Sequence, residues 1–148
     1  MIILNESLKA EDLVDGRHRR LLEDYTVMVD VRGSRLPITV PRGFVSDGGS
    51  VPWGCWNLAA PWGDYSAAFV VHDWLYYQGA KILPRAGADW VLYAMMETLD
   101  EIQLKPASTL SRRIRAVGRL ARRRAVYQAV RLGGGVAWEN HRRRETGK

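Results

Sequence analysis

The sequence predicts a single α+β domain in which an N-terminal β-hairpin, or small antiparallel sheet, packs on a unit of three helices. Alternating, β-branched residues between positions 20 and 45 indicate strands, and apolar residues at helical spacing after position 64 indicate helices. The length of 148 residues supports one domain with its own core. A single cysteine, Cys55, excludes an internal disulfide. We expect the hairpin and a glycine loop over about residues 20–52, the helical unit over 64–132 and a basic tail over 133–148.

The predicted hairpin consists of two short runs of strand-forming residues. Residues 21–31 form the first run and residues 36–41 the second, with a turn around Gly33 between them. Pro37 and Pro41 cannot donate backbone hydrogen bonds, so the second run is expected at a sheet edge or a strand end.

Two helices are predicted in the middle of the chain. The first covers residues 64–77, with Asp64 or Ser66 as its N-cap and no breaker before Gly79. The second covers about residues 85–102, where apolar side chains recur at helical spacing.

A third, basic helix is predicted after Pro106. Ser108 or Thr109 can cap its start, and it is expected to run to about Leu132, where Gly133-Gly134-Gly135 ends it. The helix is predicted to be amphipathic, with one apolar stripe: Leu110, Ile114, Val117, Ala121, Ala125 and Ala129.

Charge divides the chain into two unlike parts. Residues 1–104 carry 9 Lys+Arg and 14 Asp+Glu, a net charge of −5, whereas residues 105–148 carry 13 Lys+Arg and 2 Asp+Glu, a net charge of +11. The basic part is expected to meet a polyanion, an anionic membrane surface or an acidic partner. Specific nucleic-acid recognition is disfavoured, because the basic helix keeps an apolar stripe. No apolar run is long enough to span a membrane and the N-terminus does not resemble a signal peptide, so the chain is expected to be made in a reducing cytoplasm.

Two sets of residues are candidates for a partner interface. Aromatic side chains in an irregular loop and arginines of the basic helix suit an acidic neighbouring subunit, packaged DNA or anionic lipid headgroups. The tryptophans could equally be core residues, and the arginines could be a solvated face. The candidates are Trp53, Trp56, Trp62, Arg112, Arg115, Arg119, Arg122 and Arg123.

His72 is the candidate for chemistry, because it lies in an apolar helix beside a carboxylate. His72 and Tyr76 are four residues apart and share one helix face, whereas Asp73 points about 100° away. Antiparallel packing of the next helix could bring Asp89 against His72. A carboxylate that holds one ring nitrogen leaves the other free to take a proton from water. The alternative is a hydrogen-bonded core pair without catalysis.

The loop at Gly48-Gly49 is a candidate for metal binding. Its backbone carbonyls, together with the carboxylate of Asp73, resemble an oxygen-rich calcium site. The alternative is an ordinary turn after the hairpin.

Several separated motifs, in order, resemble the uncharacterised DUF1353 family, which is found mostly in tailed bacteriophages and prophages. They are Val40-Pro41-Arg42-Gly43-Phe44-Val45-Ser46-Asp47-Gly48-Gly49-Ser50-Val51-Pro52, His72-Asp73-Trp74-Leu75-Tyr76, Ala88-Asp89 and Tyr127-Gln128-Ala129-Val130-Arg131-Leu132-Gly133-Gly134. The resemblance implies a phage protein, expected in the virion or its tail among other phage structural proteins. Its location would be the host cytoplasm during assembly and then the virion.

A glycine loop followed by His-Asp-x-x-Tyr and then Ala-Asp on the next helix is also similar to the phospholipase A2 superfamily. This resemblance implies a phospholipase A2-like helical unit with His72 as the base that activates water. Tyr76 and Asp89 would orient His72. Asp73 and the carbonyls of Gly48 and Gly49 would bind calcium as the cofactor.

Three functions therefore remain open. The first is a virion or tail component that carries a phospholipase A2-like site. The second is a calcium-dependent phospholipid acyl-ester hydrolase acting on the host envelope, and the third is a purely structural assembly protein with a non-catalytic pair of His72 and an aspartate. A phosphohydrolase of the His-Asp type is disfavoured, because His18 and His141 lie outside the two helices that would form its site.

Overall fold

The computed structural model describes residues 2–4, 7–31, 33–48, 63–105 and 109–146; for residues 31, 109–112, 141 and 144–146 it describes the backbone alone. The six strands within these ranges are β1 (Ile2–Leu4), β2 (Ala10–Asp12), β3 (Arg19–Leu21), β4 (Tyr25–Val31), β5 (Ser34–Val40) and β6 (Val45–Ser46). The helices are α1 (Ser66–Gln78), α2 (Arg85–Leu104) and α3 (Thr109–Thr146), and a short 3-10 turn, Gly79–Lys81, follows α1.

The strands form two antiparallel three-stranded sheets, which confirms the predicted α+β class. One sheet has the order β1-β4-β5 and the other the order β2-β3-β6. The predicted hairpin is β4 and β5, and β5 lies at the sheet edge, as its prolines indicated. Gly33 turns the chain with a φ of 84°, and its N–H donates to the carboxylate of Asp30.

One hydrophobic core joins the first sheet to the helices. Val27 and Ile38 pair across the hairpin, and both are buried against the helical unit. Nearly every residue of α1 between Ala68 and Tyr76 is buried, so this helix lies in the centre of the core rather than on its surface. None of the described helices is both long enough and apolar enough to cross a membrane.

The predicted caps of α1 are wrong. Tyr65 occupies the N-cap position, and Ser66 donates instead to the carbonyl of Gly63. The Asp64 carboxylate lies near the guanidinium groups of Arg119 and Arg122, and this attraction competes with capping. The helix ends at Gln78 with Gly79 as its C-cap, so Gly79 does terminate it, as the sequence indicated.

The predicted end of α3 is also wrong, because the helix continues through Gly133-Gly134-Gly135 to Thr146. Each glycine inside a helix costs about 1 kcal/mol relative to alanine. At Gly134 and Gly135 the lack of side chains lets α3 lie very close to Tyr76 and Arg85.

The buried face of α3 is not the predicted apolar stripe. Ile114 and Val117 are exposed, whereas Arg123, Val126 and Trp138 are buried. Electrostatic attraction explains why α3 turns a different face toward the core, because acidic residues of the neighbouring structure bind its arginines. Arg119 and Arg123 both donate to Asp100, Arg123 also donates to Glu97, and Arg119 and Arg122 reach Asp64.

Candidate active site

Helices α1 and α2 bring together the three residues predicted to act as base and partners. Nε2 of His72 lies 3.0 Å from Oδ1 of Asp89, and the hydroxyl of Tyr76 donates to the same oxygen at 2.6 Å. His72 and Tyr76 lie one turn apart on α1, so both reach a single residue of α2. His72 is 6% exposed and Asp89 is fully buried.

The protonation states follow from this environment. Burial lowers the pKa of His72, and the hydrogen bond to Asp89 only partly counteracts that effect. Burial alone would raise the pKa of Asp89, but hydrogen bonds from His72, Tyr76 and Arg131 lower it to about 2. At neutral pH the aspartate is therefore ionised and the imidazole neutral. Since a carboxylate only accepts hydrogen bonds, the imidazole proton is on Nε2, and Nδ1 carries the free lone pair.

Arg131 of α3 is a member of this cluster that the sequence did not reveal. Its guanidinium donates to Oδ2 of Asp89 at 2.8 Å. The guanidinium of Arg85 lies 3.8 Å from the same oxygen and also donates to the carbonyl of Arg131 at 2.8 Å. The two arginines balance the charge of Asp89, so the carboxylate can stay ionised without a proton on His72.

The glycines of α3 fit around the same cluster. A Cβ atom at position 134 would lie 2.5 Å from the hydroxyl oxygen of Tyr76, and one at position 135 would lie 2.7 Å from Arg85. The rings of Trp138 and Tyr76 pack in a T-shaped arrangement, with 5.1 Å between their centroids. Helix α3 thus restrains the tyrosine that bonds to Asp89.

Asp73 is connected to the glycine loop through a serine. The Ser46 hydroxyl donates to Oδ2 of Asp73 at 2.5 Å and accepts the N–H of Gly48 at 3.0 Å. Gly48 has a φ of 77°, the left-handed conformation that glycine adopts most readily. These neighbouring groups offer only oxygen ligands, a donor set that suits a hard cation such as calcium.

The described part of the chain contains no group of three or more His, Cys, Asp or Glu residues arranged to hold a metal. A calcium ion at Asp73 would therefore depend on backbone carbonyls and water for its remaining ligands. Gly49, predicted to supply one carbonyl, lies outside the described residues, as do Trp53, Trp56 and Trp62.

The predicted interface arginines have different environments. Arg115 is exposed, and the side chain of Arg112 lies outside the described atoms. Arg119, Arg122 and Arg123 take part in the ion pairs with acidic residues described above, and Arg123 is buried. Their assignment to a partner interface stays a prediction.

A second buried cluster surrounds Asp100. Its carboxylate accepts hydrogen bonds from Tyr65 at 2.8 Å, Arg119 at 2.8 Å and Arg123 at 3.1 Å. Burial and Asp100 together raise the pKa of Tyr65. These contacts join α2, α3 and the start of α1, so we assign this cluster a structural role.

Sequence spacing could have revealed one of the site residues that the sequence analysis did not identify. Asp89 and Arg85 are four residues apart on α2, a pair that an i, i+4 search would find. Arg131 carries no such local signal, because it reaches Asp89 across 42 residues of chain. Ser46 is likewise adjacent to Asp73 only after folding.

Comparison with protein families gives one match. A family model described as "Protein of unknown function (DUF1353)" matches residues 20–109. That range includes His72, Tyr76 and Asp89 but ends before Arg131 and Gly134. No curated protein and no solved structure matches significantly.

Proposed function

The chain belongs to the DUF1353 family, and from this premise we propose that it is a phage-particle protein with a calcium-dependent acyl-ester hydrolase site. His72 is the general base, Asp89 and Tyr76 orient it, and Asp73 with the loop at Gly48-Gly49 binds calcium. The observation that supports this function best is the 3.0 Å distance between Nε2 of His72 and Oδ1 of Asp89. The lowered pKa of each group is consistent with a neutral base beside a carboxylate.

The proposed reaction uses the free nitrogen of His72. Nδ1 takes a proton from a water molecule while the water oxygen attacks the carbonyl carbon of the ester. The resulting imidazolium is stabilised by Asp89 and then gives its proton to the leaving alkoxide as the carbon–oxygen bond breaks. The products are a carboxylic acid and an alcohol, and the imidazole returns to its neutral form.

Asp89 and its partners prepare this base for the reaction. The hydrogen bond to Oδ1 fixes the ring orientation and the tautomer, and Tyr76 holds that oxygen in place. The carboxylate is buried and already ionised, so little rearrangement is needed when positive charge develops on His72.

Calcium is the proposed cofactor because the groups around Asp73 are hard oxygen donors. When bound, the ion would polarise the ester carbonyl and stabilise negative charge on its oxygen. Asp73 would supply the carboxylate ligand, and the Ser46 hydroxyl, which contacts both Asp73 and the N–H of Gly48, keeps the carboxylate beside the loop.

The proposed substrate is phospholipid of the host envelope. This assignment rests on the resemblance to phospholipase A2 and on the occurrence of the DUF1353 family mostly in tailed bacteriophages and prophages. The proposed protein partners are other structural proteins of the phage. We place the protein in the host cytoplasm during assembly and in the virion afterwards.

The direct test is fatty-acid release from phosphatidylglycerol and phosphatidylethanolamine vesicles, with calcium or with a chelator. We expect calcium-dependent release, and a loss of about 10²- to 10⁴-fold in kcat for His72→Gln. Asp73→Asn should weaken the response to calcium. The matched control is His18→Gln, which removes an exposed histidine paired with Asp15. No release by the folded wild-type protein would rule out the hydrolase.

Asp89→Asn provides a second test of the base. The asparagine keeps the size of the side chain, but it can offer its N–H₂ group to Nε2 and thereby favour the wrong tautomer of His72. We expect activity to fall while circular dichroism and calcium binding are retained.

A purely structural role is the second candidate, favoured by the burial of the pair. His72 is 6% exposed and Asp89 has no exposed surface, as in a core hydrogen bond. In that case a folded His72→Gln phage would assemble and infect with normal yield, and the wild-type protein would release no fatty acid. Mass spectrometry of purified particles tests virion membership under either function.

A further inference from the structure

Helix α3 carries an apolar surface on the side that faces away from the core. We call it the outer stripe: Ile114, Val117, Ala121, the half-buried Ala125, Leu132 and Val136, with one exposed polar residue, Gln128, on the same face. The four large members are 67%, 70%, 86% and 72% exposed, in chain order. Exposed aliphatic side chains aligned over so long a stretch usually mark an interaction surface.

The helical repeat explains why these residues form one surface. At 100° per residue they fall within a band about 100° wide, opposite the buried positions Arg123, Val126 and Val130. Ile114, Ala125 and Val136 are spaced 11 residues apart, a repeat that stays on one face of a nearly straight helix. From Ile114 to Val136 the stripe extends for about 33 Å.

We propose that the outer stripe is the interface of an antiparallel homodimer with its two-fold axis at Ala125. Ile114 and Val136 each lie 11 residues from Ala125, so the axis places Ile114 of one copy opposite Val136 of the other. Leu132 of one copy then meets Val117 and Gly118 of the other. The alanines lie at the centre, where small side chains let two helices approach closely.

Charge favours the antiparallel arrangement over a parallel one. The exposed Arg113 and Arg115 flank the first half of the stripe, and in the dimer they face the uncharged stretch from Leu132 to Ala137. In a parallel dimer, each of these arginines would lie beside the same arginine of the other chain, and the two positive charges would repel each other. Arg124 lies next to the proposed axis and close to its copy, so the dimer should tighten as salt screens this repulsion.

The salt dependence of binding distinguishes a second copy of the chain from the other partners that could cover the outer stripe. An acidic protein or an anionic bilayer would bind the flanking arginines, and that binding would weaken with salt. The dimer is expected to form without lipid, calcium or any other protein. Because the stripe lies opposite the face of α3 that contacts Tyr76, dimerisation is independent of the proposed hydrolase activity.

Sedimentation equilibrium of the full chain measures the dimer. We expect a concentration-dependent dimer that tightens between low and high salt. Leu132→Glu should weaken it at least about a hundredfold, because each dimer loses two buried leucines and gains two buried charges. The matched control, Ile102→Glu, changes an exposed aliphatic residue of α2 and should leave association unchanged. Circular dichroism of both variants shows whether the fold is retained.

Cysteine cross-linking tests the geometry. With Cys55 replaced by serine, Ala125→Cys should form a disulfide-linked dimer under mild oxidation. Ile114→Cys alone and Val136→Cys alone should not, but an equal mixture of the two should cross-link. His72→Gln should associate like the wild type, so failure of the hydrolase assay and failure of the dimer are distinguishable.

Three results would overturn the proposal. The first is a monomer at all accessible concentrations, including one that binds phosphatidylglycerol vesicles through the stripe. The second is a dimer unaffected by Leu132→Glu, and the third is self-cross-linking at positions 114 and 136, the pattern of a parallel pair.

Discussion

Gly134 of α3 lies against the hydroxyl group of Tyr76, so close that a single added carbon would be 2.5 Å from the phenol oxygen. That hydroxyl is also the donor at 2.6 Å to Asp89, the carboxylate that holds His72. A glycine in the last helix thus determines the space available to a residue of the candidate site.

Gly134→Ala should therefore damage the site, although alanine is the better helix former. Tyr76 is buried and hydrogen-bonded, so it cannot move away without losing its bond to Asp89. We expect at least about a tenfold loss of kcat, measured on the vesicle substrate. Gly118→Ala is the control, because a methyl group at this position of the same helix meets no other atom within 4 Å. Equal activities of the two variants would contradict the role of Gly134.

The acid limb of the pH–activity profile should lie below pH 6.5. Burial lowers the pKa of His72, so the neutral base persists to lower pH than an exposed histidine would allow. Below the lowered pKa, kcat/KM should fall about tenfold per pH unit, because one proton inactivates the base. A midpoint above 6.5 would argue that His72 is not the titrating base.

The free energy of unfolding should also depend on the protonation of His72, and this dependence can be measured without an activity assay. Because the pKa of His72 is lowered in the folded state, the unfolded chain takes up a proton at higher pH than the folded chain. The contribution of His72 to the free energy of unfolding is therefore complete above pH 6.5. It is lost as the pH falls from 6.5 toward the pKa of His72 in the folded state, by up to about 1.4 kcal/mol per pH unit. Urea unfolding between pH 8 and pH 5 measures this slope. In His72→Gln the component from His72 should be absent, and identical slopes in both proteins would contradict the assignment.

Arg131→Met should move the acid limb to higher pH. Without this guanidinium, the negative charge of Asp89 is less compensated and favours a proton on His72. We expect a rise of up to about one pH unit in the kcat/KM midpoint. Arg124→Met is the control, since Arg124 is exposed on the same helix. A merely structural effect would lower activity without displacing the midpoint.

Asp100→Ala should destabilise the whole fold. The substitution would leave the guanidinium groups of Arg119 and Arg123 without their shared carboxylate, and removing one partner of a buried ion pair typically costs about 3–5 kcal/mol. Glu101→Ala, at an exposed neighbouring position, should change the free energy of unfolding by no more than about 0.5 kcal/mol. Denaturant titration of the two variants measures the difference, and similar values would show that the cluster contributes little.

The hairpin and the helical pair could be predicted because their signals are local. Gly33 and Pro37 indicate a turn and an edge strand wherever the rest of the chain lies. The i, i+4 relation of His72 and Tyr76 holds in any helix, and Asp89 needed only the assumption of antiparallel packing. These features of the fold and the site depend on short-range geometry.

Helix α3 was harder to predict, because its orientation depends on distant partners. Hydrophobicity alone favours burying Ile114 and Val117, but Asp100 attracts Arg119 and Arg123 to the inner face. Nothing in the sequence around Asp100 indicates that its carboxylate is buried. A run of three glycines predicts a helix end, because nothing local in the sequence indicates the close approach of Tyr76.

The contribution of α3 to the cluster around Asp89 has a consequence for protein synthesis. A ribosome makes His72 and Asp89 well before Arg131 and Gly134, so a nascent chain lacks the groups that neutralise the aspartate and restrain Tyr76. Under the proposed hydrolase function, the site would therefore reach its final geometry only after α3 has been made and has packed against α1 and α2.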